Sequence, residues 1–248
     1  MSDPTMRLDR LIANMGYGSR REVGILAHNR RIMLDGAPLL DADVRIALTP
    51  DLPSRLMVNG VFLDPLPGMV VMLNKPVGVT CSHKEAGRLV YDLFPERWNR
   101  REPKLSSIGR LDKETSGLLL LTDDGGMLHK VISPKSGIAK KYFVTLERPL
   151  QGNEIALFAA GTLMLENEDK PLLPVAMEVL TPATARVTLH EGRYHQVRRM
   201  FAAVDNHVIA LHRETVGGLD LPLDMNPGDY RLLTPVDCAQ IFSHNTKC

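Results

Sequence analysis

Four consecutive leucines, Leu118–Leu121, stand between Gly117 and a Thr122-Asp-Asp-Gly125 turn. A short apolar run bounded by turn residues predicts a strand buried on both faces. Val70-Val-Met-Leu73, ending in Asn74-Lys-Pro-Val-Gly78, predicts another. Lys140 to Leu146 alternates and reads as a strand. Residues 162–190 read as further strands, with Val187 and Leu189 alternating, and Leu211 to Leu233 supplies closing strands. Helical spacing appears first near the start. Leu8, Leu11, Ile12 and Met15 fall on one helix face, and Ser19-Arg-Arg-Glu22 is a capping box that starts a second helix near Arg20. Val197, Met200, Phe201 and Val204 form another apolar helix face. Shorter helices are expected over residues 88–94, 126–132, 152–160 and 235–242.

The order of these elements predicts an α+β protein with two domains. Residues 1–5 read as a disordered tail. Two helices, the alternating Ile32 and Leu34, an Asp35-Gly36 turn and the alternating Val44, Ile46 and Leu48 make a small domain over residues 1–63. Asp64-Pro-Leu-Pro-Gly68 is rich in breaker residues, so residues 64–69 are expected to be a linker with few contacts. Residues 70–248 then form the larger domain, built of strands with flanking helices.

Composition changes this picture little, and charge changes it more. At 248 residues and 44% apolar, the chain can bury a sizeable core. No apolar run approaches a membrane span, and no signal sequence is evident. Cys81, Cys238 and Cys248 are odd in number and far apart, which suggests neither a disulfide framework nor a zinc site. A cytoplasmic location is expected. Net charge is only +1, but basic residues cluster. Residues 7–31 hold six arginines against Asp9 and Glu22. Residues 97–104 read as a basic loop that leads to Arg110 and Lys113 and could touch a polyanion. Such patches on a near-neutral protein are the footprint of a phosphate-binding face. Arg20 and Arg21 open a helix, against the preference for acids there, as they would if they served a polyanion.

Asp112 is the candidate reactive group. It lies on the connection into the leucine strand, with Arg110 two residues away. A carboxylate beside a guanidinium suits a nucleophile or base better than a general acid. A turn aspartate also commonly bonds its own backbone, and the residues alone do not separate the two roles. Asp112, Glu114, Asp123 and Asp124 make a poor metal set, because no histidine or cysteine joins them at ligand spacing.

Gly109-Arg-Leu-Asp-Lys-Glu-Thr-Ser-Gly-Leu-Leu-Leu-Leu-Thr-Asp-Asp-Gly125 resembles the active-site motif of RNA pseudouridine synthases, nearest the branch that modifies ribosomal RNA. Leu73-Asn-Lys-Pro-Val-Gly78, Lys140-Lys-Tyr142 and Gly192-Arg-Tyr-His-Gln-Val-Arg-Arg-Met-Phe201 resemble further signatures of that family. Arg7-Leu-Asp-Arg-Leu-Ile-Ala, Gly18-Ser-Arg-Arg-Glu and Asn29-Arg-Arg-Ile-Met-Leu-Asp-Gly36 resemble the S4 domain, an RNA-binding module.

These resemblances imply a small S4-like RNA-binding domain followed by a pseudouridine synthase domain built on a mainly antiparallel mixed sheet with flanking helices. Asp112 is implied as nucleophile. Tyr142 would stack on a flipped uracil and assist proton transfer. Arg198 would approach Asp112 and orient its carboxylate. Arg110 would clamp the flipped nucleotide or fill the vacated space. Lys75 would fix the active-site end of the sheet or contact phosphate. His195 is expected to cap its helix or contact RNA rather than act as a base, with Arg199 beside it. Arg7, Arg20, Arg21, Arg30 and Arg31 would dock RNA phosphates. The implied reaction is isomerisation of a uridine in 16S ribosomal RNA, position 516, by a monomer acting on that RNA or on a small-subunit assembly intermediate. No cofactor, metal or membrane is implied. A 23S ribosomal RNA target and a non-catalytic assembly factor are the alternatives.

Overall fold

The computed structural model describes residues 3–82 and 87–243. The chain forms two units. One contains Met1–Met69, Tyr91–Ser106 and Thr122–Gly125, and the other Val70–Val90, Ser107–Leu121 and Gly126–Cys248.

The first unit begins with β1 (Thr5–Arg7), α1 (Leu8–Asn14) and α2 (Arg20–His28). Leu8, Leu11, Ile12 and Met15 are fully buried, as their spacing predicts, and pack with Val23, Ala27, Ile32 and Leu56. Ser19 and Glu22 cap α2 reciprocally. The strands β2 (Ile32–Leu34), β3 (Ala37–Pro38), β4 (Arg45–Ala47), β5 (Leu56–Val58) and β6 (Val61–Phe62) follow. β3, β2, β5 and β6 form one sheet in that order, and β1 pairs with β4. The tail expectation fails at its inner end. Thr5 pairs with Ala47, and the Pro4 carbonyl accepts a hydrogen bond from the Leu48 amide. Met1 and Ser2 lie outside the described residues.

Residues 64–69 also differ from the expected linker, because charged partners hold them. Arg97 donates to Asp64 and stacks over the Tyr17 ring, and the Tyr17 hydroxyl accepts from the Asp64 amide. Arg101 and Asp123 form an ion pair at 2.9 Å, with both side chains 1% exposed. Arg101 also donates to the Pro65 carbonyl, and Asp123 accepts from the Gly68 amide. The expected basic loop therefore spends Arg97 and Arg101 inside its own unit, and Arg100 pairs with Glu96. Asp123 is more than a turn residue. Asp123→Asn would leave a buried guanidinium uncompensated, so unfolding free energy should fall by about 3–5 kcal/mol. Denaturant titration of the full chain measures this, and a loss below about 1 kcal/mol would contradict the structural role.

The second unit is organised on a nine-stranded sheet. Its strands are β7 (Val70–Lys75), β8 (Ser106–Ser107), β9 (Thr115–Thr122), β10 (Lys140–Leu146), β11 (Ala176–Thr181), β12 (Thr184–Leu189), β13 (Val208–Val216), β14 (Leu219–Asp220) and β15 (Tyr230–Leu232). The main order is β11-β12-β10-β13-β9-β7-β15. β13 and β9 run parallel, whereas β10 is antiparallel to both β12 and β13. The sheet is thus mixed and mostly antiparallel. Leu118–Leu121 are buried in β9, where both faces are covered. The helices are α3 (Gly125–Ile132), α4 (Glu154–Ala159), α5 (Gln196–Ala202) and α6 (Pro235–Gln240). The helix expected over 88–94 is a shorter 3-10 turn, Val90–Leu93.

Gly117 explains how β9 meets β13. It pairs with Arg213 at φ +106, and a Cβ there would lie 2.3 Å from the Arg213 carbonyl oxygen. Only glycine permits that conformation and that approach together.

Candidate active site

The parallel β9–β13 pair and the antiparallel β10–β13 pair place Gly117, Arg213 and Tyr142 side by side. These strands wall a cavity of about 400 Å³ within the second unit. Asp112 reaches it from the connection into β9, and Arg110 lines it from the same connection. Tyr142 is 8% exposed and presents its ring to the cavity from β10. His195 enters from the turn before α5.

Lys75 builds the Asp112 connection. The side chain is fully buried at the end of β7. Its Nζ donates to the carbonyls of Pro76 at 3.0 Å, Asp112 at 3.1 Å, Lys113 at 3.4 Å and Thr115 at 2.9 Å. One ammonium thus gathers the backbone on both sides of the nucleophile candidate. Burial pushes the Lys75 amine below its ordinary range, and the nearby Asp112 and Glu114 carboxylates push back. With every donor turned inward, Lys75 does not serve as a phosphate contact. The buried Cys81 thiol, pushed up by burial, donates to the Leu111 carbonyl and closes the other side.

The Asp112 carboxylate is met by histidine. His195 Nε2 lies 3.3 Å from Asp112 Oδ1. Arg198, expected there, instead donates to the Val208 carbonyl at 2.8 Å and the Glu114 carbonyl at 3.1 Å. It lines a separate cleft with Phe143 and Ile209. His195 occupies the N-cap position of α5 but makes no side-chain cap bond. Its left-handed backbone, φ +49, turns the ring toward Asp112. Arg199 is held by Glu168 and by the carbonyls of Tyr194 and Glu166.

Two cavity residues escape sequence reasoning. Arg213 is 3% exposed. Its Nε donates to the Leu118 carbonyl at 2.7 Å, and its Nη1 lies 3.5 Å from the Tyr142 hydroxyl. The available signal was an arginine sharing strand parity with Leu211 and Thr215. Lys140 lines the cavity beside it, its amine pushed down to about 8 by burial and then by Arg213.

The arginines of the first unit divide. Arg7 and Arg20 both bond Asp9, and Arg7 also pairs with Asp43. Those bonds hold the Asp9 carboxyl at about 2. Asp9 thus gives Arg20 an internal partner at the helix start, while about half of the Arg20 side chain stays exposed. Arg21 and Arg30 are exposed, and the exposed Arg31 bonds the Asn59 side chain.

The RNA pseudouridylate synthase profile matches residues 69–203, more than half of the chain. The chain belongs to the RNA pseudouridylate synthases. Curated relatives named ribosomal small subunit pseudouridine synthase A agree along nearly the whole length. The Escherichia coli protein is 40% identical over 240 residues, covering 95% of this chain and 100% of that one. The Vibrio cholerae protein is 42% identical over 237 residues, covering 96% and 100%. A crystal structure of a pseudouridylate synthase superposes with a TM-score of 0.66 at 34% identity, covering 95% of this chain and 99% of that one. The cavity thus belongs to a synthase that isomerises uridine in RNA, and no helix among the described residues is long and apolar enough to cross a membrane.

Proposed function

We propose that this synthase converts uridine 516 of 16S ribosomal RNA to pseudouridine, with Asp112 as nucleophile. The observation that carries the reading is Asp112, the cavity carboxylate that among the described residues faces only His195, in a chamber walled by Tyr142, Arg213 and Lys140; Glu191, the other carboxylate lining it, is taken up by Arg193 and Gln196. The names of the full-length relatives support a small-subunit RNA as substrate.

The reaction breaks the bond between C1′ and N1, turns the uracil over, and joins C5 to C1′. The C5 proton leaves to solvent, so no redox partner or phosphoryl donor is needed. A uridine within folded RNA is first extruded. Asp112 then forms a covalent intermediate that divides one hard step into two. The Tyr142 ring gives the uracil a stacking face, and its hydroxyl is placed to exchange a proton. Arg213 fixes the strand that holds Tyr142, and His195 limits rotation of the Asp112 carboxylate. Arg110, exposed at the cavity, clamps the flipped nucleotide.

The first unit, two helices followed by small sheets, docks RNA in the manner of an S4 domain. Arg21, Arg30 and Arg31 make its phosphate contacts. The protein acts as a monomer in the cytoplasm, on free 16S RNA or on a small-subunit assembly intermediate.

Tritium release from C5-labelled uridine tests this. The expected result is release from 16S RNA, bare or partly assembled, mapped to position 516. Release from 23S RNA alone would assign the enzyme to the large subunit. RNA binding without release from either RNA would reduce the protein to an assembly factor.

A further inference from the structure

Tyr194 lies between Arg193 and His195, which both line the cavity, and has no part in the chemistry above. It is 75% exposed. One face of its ring stacks on His195, with centroids 3.8 Å apart and planes 17° apart. The other face is open, and its hydroxyl makes no hydrogen bond among the described residues. The His195 ring on which it stacks lies 3.3 Å, Nε2 to Oδ1, from the Asp112 carboxylate.

The turn that presents this pair is clamped on both sides. Arg193 donates to Glu168 at 3.1 Å, to Glu191 at 3.1 Å and to the Lys170 carbonyl at 2.7 Å. Arg199 donates to the other oxygen of Glu168 at 2.8 Å and to the Tyr194 carbonyl at 3.2 Å. The Arg193 amide is held by Gln196. His195 keeps a left-handed backbone inside this clamp. A strained residue fixed by its surroundings, beneath an open aromatic ring, is a preorganised surface rather than a mobile side chain.

Extruding a uridine from RNA leaves each neighbouring base without a stacking partner on one side. An aromatic ring fixed beside the extrusion point can replace that partner, whatever the base identity. We propose that Tyr194, stacked on His195, is the platform for the base next to the flipped uridine. The inference rests on the RNA reading above and adds a positioning contact outside the chemistry.

The test uses the full-length protein and a 16S RNA fragment containing uridine 516, with variants abasic immediately 5′ or 3′ of it. Tyr194→Ala should raise KM and Kd for the intact fragment about tenfold, with kcat nearly unchanged, because the stack exists before and during reaction. Tyr194→Phe should restore both to within about twofold, since the ring and not the hydroxyl is used. One abasic fragment should bind wild type about tenfold more weakly yet bind Tyr194→Ala no worse than the intact fragment does. Unchanged binding by Tyr194→Ala would overturn the platform. So would an equal loss on all three fragments, which would mean that Tyr194 only supports His195. A wild type that binds but forms no pseudouridine would overturn the proposed function, while the binding comparison would still decide the platform.

Discussion

Asp112→Ala is expected to lower pseudouridine formation by at least about ten thousandfold, because removing a nucleophile removes the covalent route itself. The loss should appear in kcat. Asp112 lies on a connection whose backbone is held independently of its carboxylate. Lys75 takes the Asp112 carbonyl at 3.1 Å, and the Thr115 amide donates to the same oxygen at 3.0 Å. The side chain is 34% exposed, so its truncation opens no sealed cavity. Melting temperature and RNA affinity should therefore stay near wild type, which separates lost chemistry from lost structure. Tritium release read beside a melt and a binding isotherm makes the comparison. Release by Asp112→Ala at more than a hundredth of the wild-type rate would remove Asp112 from the nucleophile's role, since Glu191, the other carboxylate lining the cavity, is held by Arg193 and Gln196.

Lys75→Met should damage both stability and turnover, by a different route. Methionine nearly matches the lysine stem but offers no donor. The carbonyls of Pro76, Asp112 and Thr115 would lose a charge-assisted bond in a buried place. Leaving such groups unmatched costs about 3 kcal/mol or more, even with partial relaxation. The Asp112 and Lys113 carbonyls also accept from the Thr115 and Gly78 amides, so they are less affected than those of Pro76 and Thr115. The connection should loosen where Asp112 sits. A displacement near 1 Å at a reacting group costs about a hundredfold in rate, so kcat should fall on that order while RNA affinity changes little. Amide hydrogen exchange at Gly78 and Thr115 should quicken in the variant. Normal exchange and normal kcat together would show that the lysine does not position Asp112.

These expectations depend on partners that the sequence left open. The periodicity of Leu8, Leu11, Ile12 and Met15 predicted the buried face of α1, and the Ser19–Glu22 pair predicted the start of α2. The leucine run predicted a strand buried on both faces. Such features are local, because backbone dihedrals and side-chain direction repeat every 3.6 or two residues whatever the rest of the chain does. The position of Asp112 between a basic approach and a buried strand was legible for the same reason.

The partners of charged groups were not legible. By sequence, Arg198 was the expected companion of Asp112, yet in the fold it serves the Val208 and Glu114 carbonyls while His195 reaches the carboxylate. Arg7 and Arg20 looked like phosphate contacts and turned to Asp9. Arg97 and Arg101 looked like a basic loop and closed on Asp64 and Asp123. Arg213 became a cavity wall only when β13 settled between β9 and β10. The sequence by itself determined most of the elements, the buried faces and the placement of Asp112 on its connection. The tertiary structure decided which cation, carbonyl or ring meets each charge. Ion pairs and hydrogen bonds depend on separations of a few ångströms and on burial, and strands distant along the chain set both.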